Sequence, residues 1–425
     1  MQIIGIDIGT TSICGIALDA KNGKIVKSIT QNSDAFIKSE LEFEKIQSPE
    51  IIIKKATEIL EELITDDTAA IGVTGQMHGI VYTDENGNAV SPLYTWQDER
   101  GNQPYKDTTY AKYLGSFSGY GCVTDFYNEE NNLIPETAVA FCTIHDYFVM
   151  KLCGMTKPVI HSTNAASFGL YDIEKNCFTN GYNPVIINDY FIAGQYKNIP
   201  VSAAVGDNQA SVFSTLVSQN DLLINVGTGS QVSLVSDKII KGENLEVRPY
   251  FEDKYLIVGA ALCGGRAYSL LKDFYKNLLE KFTKIDDNEI YKVMDEMLKT
   301  ANGNLTVDTR FAGSRKNPEI MGGIYDINTQ NFTPENLTKG VLCGMATELC
   351  DMLLEMKQDI KGIVGSGNGI RKNKYFIKVL EEKFGFGMKI PTHLEEAAVG
   401  AALYGGISAC VFENASDAQT IIKYR

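Results

Sequence analysis

The sequence predicts an α/β protein built from two related lobes. Three observations carry that expectation. The chain has 425 residues, about twice what one hydrophobic core usually organises. Its opening reads as strand, hairpin, strand, helix, strand, the pattern of a sheet covered by helices. That opening recurs 218 residues later. Ile6-Asp7-Ile8-Gly9-Thr10-Thr11-Ser12 aligns with Ile224-Asn225-Val226-Gly227-Thr228-Gly229-Ser230. Similarity at half the chain length points to two lobes facing one central cleft. Two unrelated hairpins with common turn residues are the competing reading of so short a match.

The elements follow in order. Residues 3–8 are apolar and β-branched, and 13–18 resume after Gly9-Thr10-Thr11-Ser12. Asn22-Gly23 marks a hairpin turn before a strand at 25–29. A helix is expected over 49–64. Pro49 suits its first turn, and Ile52, Ala56, Ile59, Leu60 and Leu63 recur at helical spacing. A strand at 69–73 follows. In the second half, strands are expected at 232–235, 255–262, 361–364 and 389–391. Helices are expected at 266–282, 375–384 and 394–410. Leu270, Leu271, Phe274, Leu278 and Leu279 should form the apolar stripe of the first of these. No Pro- or Ser-rich linker interrupts the chain, and the expected boundary divides it into 1–215 and 216–425.

Composition excludes several classes. A net charge of −14 argues against nucleic acid as a partner, because backbone phosphates are held by basic patches. An acidic protein can still hold ATP where backbone N–H groups and a metal meet the phosphates. Nine cysteines without a C-x-x-C suggest neither a disulfide framework nor a zinc site, and so a reducing cytoplasm. The first residues run into a strand pattern without signal-peptide features. No apolar run is long enough to span a membrane. The expected partners are small molecules, and a homodimer is left open.

Three segments carry chemistry. The first is Asp7 to Ser12. Gly9 lets the backbone approach an anion, the Thr10, Thr11 and Ser12 hydroxyls and N–H groups can bond phosphate oxygens, and Asp7 can hold Mg2+ against them. A plain hairpin turn is the bland alternative. The second is Val205-Gly206-Asp207-Asn208-Gln209-Ala210, where an acid opens a helix after a strand. On its own Asp207 reads better as a helix cap than as a catalytic group. The third pairs Gly75-Gln76-Met77-His78-Gly79 with Thr95-Trp96-Gln97-Asp98-Glu99-Arg100. A Trp among Asp, Arg, Gln and His suits a sugar's C–H faces and hydroxyls; buried core residues are the alternative.

Together these segments resemble the FGGY carbohydrate kinases across essentially the whole chain. The resemblance implies two ribonuclease H-like lobes of the actin-like ATPase superfamily, with a sugar-binding N-terminal lobe and a nucleotide-binding C-terminal one. Asp7 to Ser12 matches the first phosphate motif and Gly227-Thr228-Gly229-Ser230 the second. Gly264-Gly265 matches a Gly pair ahead of a cleft helix. Gly365-Ser366-Gly367-Asn368 resembles the adenosine loop, with Asn373 a further nucleotide candidate. Glu395 to Ala402 resembles the C-terminal helix signature. The resemblance makes Asp207 the catalytic base and a ligand, with Asp7, of Mg2+. It puts Met77, His78, Trp96, Asp98, Arg100 and Asp207 on the sugar. Relatives mostly carry Lys or Arg where this chain has Cys14, which leaves more phosphate neutralisation to Mg2+ and backbone dipoles. His145-Asp146 reads as structural, and Asn164 as near the cleft.

The implied activity is ATP-dependent phosphorylation of a ketose at its terminal hydroxyl, with ATP and Mg2+. Within the family the motifs are most like sedoheptulokinase-like members, and D-xylulose is the second substrate expected. A sugar-responsive actin-like ATPase, or a sensor without turnover, is the alternative from another class.

Overall fold

The computed structural model describes residues 1–284, 286–314, 317 and 319–425. They divide into two compact units. The first comprises Met1–Val217, Arg248–Lys254 and His393–Lys423, the second Ser218–Val247, Tyr255–Thr392 and Tyr424–Arg425.

A seven-stranded sheet organises the first unit. β1 (Gln2–Ile8), β2 (Ser12–Asp19) and β3 (Ile25–Asn32) form an antiparallel meander. α1 (Pro49–Leu63) begins at Ser48, whose hydroxyl accepts from the Ile51 N–H, and Pro49 fits a first turn that needs no donor. Its apolar face is buried against β2, where Gly15 makes room for Ile59 and Leu63. β4 (Thr68–Gly75) pairs with β1 in parallel. β5 (Ile192–Tyr196) and β6 (Ile199–Ser202) extend the order to β5-β6-β4-β1-β2-β3, and β7 (Val205–Gly206) also pairs with β4. α2 (Asp207–Thr215) leaves directly from β7.

The second unit is built on a six-stranded sheet. Its strands are β8 (Asp221–Val226), β9 (Ser230–Ser236), β10 (Leu245–Pro249), β11 (Tyr255–Ala261), β12 (Gly362–Ser366) and β13 (Met388–Lys389). The opening connectivity repeats that of the first unit. β8 and β9 form an antiparallel hairpin, β11 lies antiparallel to β9, and β12 lies parallel to β8. This gives the half-length sequence repeat its structural content.

Helices α3 (Gly264–Leu279), α4 (Asp287–Thr300), α5 (Pro334–Met356) and α6 (Lys374–Phe384) contribute to the core around that sheet. α4 and α5 have no counterpart among the expected elements, although Thr333 caps α5 and Pro334 starts it. The stripe expected on α3 is corrected. Ala267, Tyr268, Leu271, Lys272 and Tyr275 face the core, whereas Leu270, Phe274 and Leu278 are exposed. Lys272 is tolerated there because Asp273 and Asp287 pair with it. Tyr and Lys stems cover apolar surface as leucine would, so counting aliphatics alone turned the helix the wrong way.

Helix α7 (Glu396–Ser408) lies in the first unit, against β1, β4 and α2. The sequence reading put everything after residue 215 in one lobe; here Arg248–Lys254 and His393–Lys423 group with the first. α7 is rich in small residues because it packs backbone to backbone. A Cβ on Gly5 would strike the Ala398 carbonyl, one on Gly72 the Ala401 carbonyl, and one on Gly400 the Ala210 carbonyl.

Candidate active site

The sheet of the first unit brings three strand ends together. In the parallel pairing of β1 with β4, Asp7 lies opposite Thr74 and Ile8 opposite Gly75. In that of β7 with β4, Val205 lies opposite Thr74 and Gly206 opposite Gly75. Gly9, Gln76 and Asp207 therefore emerge side by side at the carboxyl ends of parallel strands, where α/β sheets hold their ligands. Asp7 and Asp207 are both half-buried. Burial pushes the Asp7 carboxyl up to about 7, and the charge of Asp207 adds to this. Burial pushes Asp207 up to about 6, against the Asn208 backbone N–H and the Arg248 charge, which lower it. Two partly buried carboxyls near one another resist being ionised together. A divalent cation would relieve that conflict.

Asp207 is held through its preceding backbone. Asn164 Nδ2 donates to the Ala204 carbonyl at 3.1 Å, and Thr74 Oγ1 to the Val205 carbonyl at 2.7 Å. The Gly206 N–H donates to Thr163 Oγ1 at 3.0 Å. All three side chains are buried. Behind them Asn164 Nδ2 also donates to Asp146 Oδ1 at 2.8 Å, and His145 Nε2 donates to Asn164 Oδ1 at 2.9 Å. The amide of Asn164 fixes that tautomer, because its nitrogen already faces two acceptors. His145 and Asp146 thus stiffen the strand that presents Asp207, as a structural reading of them requires.

The Gly9–Ser12 turn is tied to the neighbouring loops. Thr10 Oγ1 donates to Gln76 Oε1 at 3.1 Å and accepts from Trp96 Nε1 at 3.0 Å. The Thr10 carbonyl accepts from Gln47 Nε2 at 2.7 Å and from Ser33 Oγ at 2.9 Å. Trp96, the chain's only tryptophan, is 47% exposed. Its indole N–H is anchored while its ring faces solvent, which makes a fixed platform. Thr11 is exposed and Ser12 half-buried. Cys14 lies beside Asp7 and Glu395, and burial raises its thiol, so the position offers no positive charge to a phosphate.

Met77 is buried and lies against Gly206. His78 takes a left-handed backbone conformation, φ +73°, which is rare outside glycine and marks a constrained turn. Its N–H donates to Ser167 Oγ at 3.1 Å, and its Nδ1–H to the Ser167 carbonyl at 2.7 Å. The ring stacks on Tyr120 with centroids 4.2 Å apart.

In the second unit the hairpin from Gly227 to Gly229 meets the start of α3. The Gly265 N–H donates to the Gly227 carbonyl and the Arg266 N–H to the Thr228 carbonyl, both at 3.0 Å. Gly264 is required there, since a Cβ would overlap the Gly229 backbone. Gly227 and Thr228 are exposed. Gly367, at φ +81°, opens a turn that leaves Asn368 exposed. Gly365 is buried within β12 against Met388 and Ile370, so it shapes the sheet and lies beneath the loop surface. Asn373 caps α6, accepting from the Tyr375 and Phe376 N–H groups.

Residues 2–187 match the family model for the N-terminal domain of the FGGY carbohydrate kinases, and residues 222–409 match that for the C-terminal domain. The chain belongs to the FGGY family of carbohydrate kinases. It is 27% identical to the sedoheptulokinase of Mus musculus over 94% of this chain and 96% of that protein. It is 25% identical to the sedoheptulokinase of Homo sapiens over the same shares. Its structure resembles that of the xylulose kinase from Rhodospirillum rubrum, with a TM-score of 0.85 and 16% identity, covering 100% of this chain and 93% of that one. The fold is that of the actin-like ATPases in two domains. An FGGY kinase is a phosphotransferase with an alcohol acceptor and ATP as co-substrate. No helix among the described residues is long and apolar enough to cross a membrane.

Two residues expected on the sugar of this FGGY kinase are placed elsewhere. Asp98 is 1% exposed and Arg100 0%, so neither side chain has surface to offer a ligand. Arg100 Nε donates to Asp98 Oδ1 at 2.6 Å, Arg100 also pairs with Glu44, and its guanidinium lies 4.1 Å over the Tyr94 ring. Asp98 Oδ2 accepts from the Lys45 N–H at 3.0 Å. The pair therefore braces the loop that carries Trp96, and removing one partner of such a pair costs about 3–5 kcal/mol. Tyr120, Ser167, Asn208 and Arg248 were given no site role of their own in the sequence. Arg248 is half-buried, and its Nη1 donates to Asn208 Oδ1 at 3.3 Å. Its one sequence signal is an arginine inside the apolar run Val247-Arg248-Pro249-Tyr250.

Proposed function

We propose that this kinase transfers the γ-phosphoryl group of ATP to the terminal hydroxyl of a ketose, with sedoheptulose the first candidate and D-xylulose the second. The observation that carries the reading is Asp207, held by three buried hydrogen bonds to its own strand beside Asp7. Asp207 takes the proton of the attacking hydroxyl. That oxygen bonds to the γ-phosphorus as the bond to the bridging oxygen breaks, and ADP leaves. Trp96 receives the C–H face of the sugar, and Met77 and His78 border it.

The donor set of Asp7 and Asp207 fits Mg2+, which takes one or two carboxylates and completes its shell with phosphates and water. Among the described residues no group of three or more His, Cys, Asp and Glu is arranged for a metal, which suits an ion brought with the nucleotide. When bound, Mg2+ supplies charge neutralisation to the phosphates. We assign the sugar to the first unit. The nucleotide goes to the second, with Gly227, Thr228, Gly229, Gly264, Gly265, Gly367 and Asn368 around it. Gly365 and Asn373 act there by shaping the loop. Nine free cysteines favour a reducing cytoplasm.

The similarity to two sedoheptulokinases over nearly the whole chain supports the choice of sugar. The test is turnover with Mg-ATP on a panel of ketoses, aldoses and polyols. The expected result is one ADP per sugar phosphate and a higher kcat/KM for sedoheptulose than for D-xylulose. No ADP above background on any member overturns the reading.

A further inference from the structure

Arg248 stands at the junction of the first unit's functional residues. Its Nη1 donates to Asn208 Oδ1 at 3.3 Å, and its charge acts on Asp207 and on Tyr120. Tyr120 in turn stacks on His78, 4.2 Å between centroids and 16° between planes. The guanidinium therefore links the end of the site where the acceptor hydroxyl meets Asp207 to the end bordered by His78.

The position is fixed by its surroundings. Gln209 Nε2, in the first turn of α2, donates to the Pro249 carbonyl at 3.1 Å. Phe251 is 1% exposed and anchors the segment among the rings of His161, Phe213 and Tyr404. Arg248 is half-buried, and partial desolvation of a guanidinium is costly unless its neighbours use the charge. Its planar fork of N–H donors matches two oxygens at once, the pattern that adjacent hydroxyls of an open-chain sugar present.

We propose that Arg248 and Tyr120 are sugar-contacting residues that determine specificity, binding the ketose hydroxyls next to the one that is phosphorylated. The inference rests on the ketose-kinase reading and adds to it two residues that read the sugar's length and configuration. A site that hydrogen-bonds a hydroxyl rejects analogues lacking it, because its own buried groups are then left unmatched.

Trp96 provides the assay, being the only tryptophan and lying exposed in the same unit. Its fluorescence is titrated with sedoheptulose and with D-xylulose, without ATP or Mg2+, in the full chain and in Arg248→Met, Arg248→Lys and Tyr120→Phe. Arg248→Met should weaken sedoheptulose binding roughly 10- to 100-fold and narrow the preference between the two sugars. Arg248→Lys should recover part of the loss, and KM for ATP should stay within about twofold. Tyr120→Phe removes one hydroxyl, and a loss of about 3- to 10-fold is expected. Should Arg248→Met fail to melt cooperatively, the lysine and Tyr120 variants carry the test. Titrations that superimpose on those of the unaltered protein overturn the proposal, as does a rise in KM for ATP alone. A fall in kcat with sugar binding unchanged also overturns it, because it would make Arg248 a partner of Asp207 only. An unaltered protein that neither binds nor phosphorylates either ketose overturns the ketose reading itself, and the proposal with it.

Discussion

The two units carry hairpins of the same build that end in different chemistry. In the first, Asp7 on β1 lies between Cys14 on β2 and Thr74 on β4. In the second, Asn225 on β8 lies between Gln231 on β9 and Ser366 on β12, and its Nδ2 donates to Ser366 Oγ at 2.6 Å. The backbone frame is shared, yet one hairpin presents a carboxyl raised by burial and by Asp207, and the other a neutral amide satisfied within its own sheet. The turns differ too. Thr10 is tied to Trp96 and Gln76, whereas Gly227 and Thr228 are exposed. A fold repeat thus supplies two turns of one build, and the side chain at one strand position, Asp7 or Asn225, sets them apart.

The largest expected effect comes from removing the proposed base. Asp207→Asn keeps the shape and should lower kcat by roughly 10² to 10⁴, with sugar affinity, read from Trp96 fluorescence, retained. Near-normal turnover would put the base elsewhere. Making the second hairpin resemble the first should cost less. Asn225→Asp places a carboxylate where phosphates are to be held, and KM for ATP should rise about tenfold while KM for the sugar is unchanged. An unaltered KM for ATP would mean that Asn225 does not face the phosphates.

The smallest effect is on stability. The Asp7 carboxyl is raised to about 7 in the folded protein, above the roughly 3.9 of an unfolded chain. The folded state therefore holds that proton more tightly. Its contribution is complete below about pH 4 and is lost as the pH rises through about 7. The melting temperature of the ligand-free protein should fall between pH 5 and pH 8 more steeply than that of Asp7→Asn. Parallel calorimetric profiles for the two proteins would remove the coupling between the carboxyls.

Much of this contrast was legible in the sequence. The Asp7 and Asn225 hairpins announce themselves by Gly-Thr-x-Ser after a β-branched strand, and short-range turn chemistry suffices to read them. Asp207 needed the family resemblance, because an acid at a helix start looks like a cap. Asp98 and Arg100 misled for a physical reason. A buried ion pair and a sugar-binding pair use the same residue types, and only burial separates them. The helix α7 was legible, but Arg248 and the grouping of α7 with the first unit were beyond reach because long-range packing decides them. Phe251 draws Arg248 to the first unit, and glycine contacts with β1 and β4 draw α7 there.

The comparison is tested most directly by the Mg2+ dependence of turnover in Asp7→Asn, which gives the first hairpin the amide of the second. The rate is measured at saturating ATP and ketose while Mg2+ is varied. The account predicts that the Mg2+ concentration for half-maximal rate rises several-fold, roughly the loss of one carboxylate ligand, while KM for the ketose stays at the unaltered protein's value. An unchanged Mg2+ requirement, with normal kcat, would contradict the assignment of Asp7 to the reacting side.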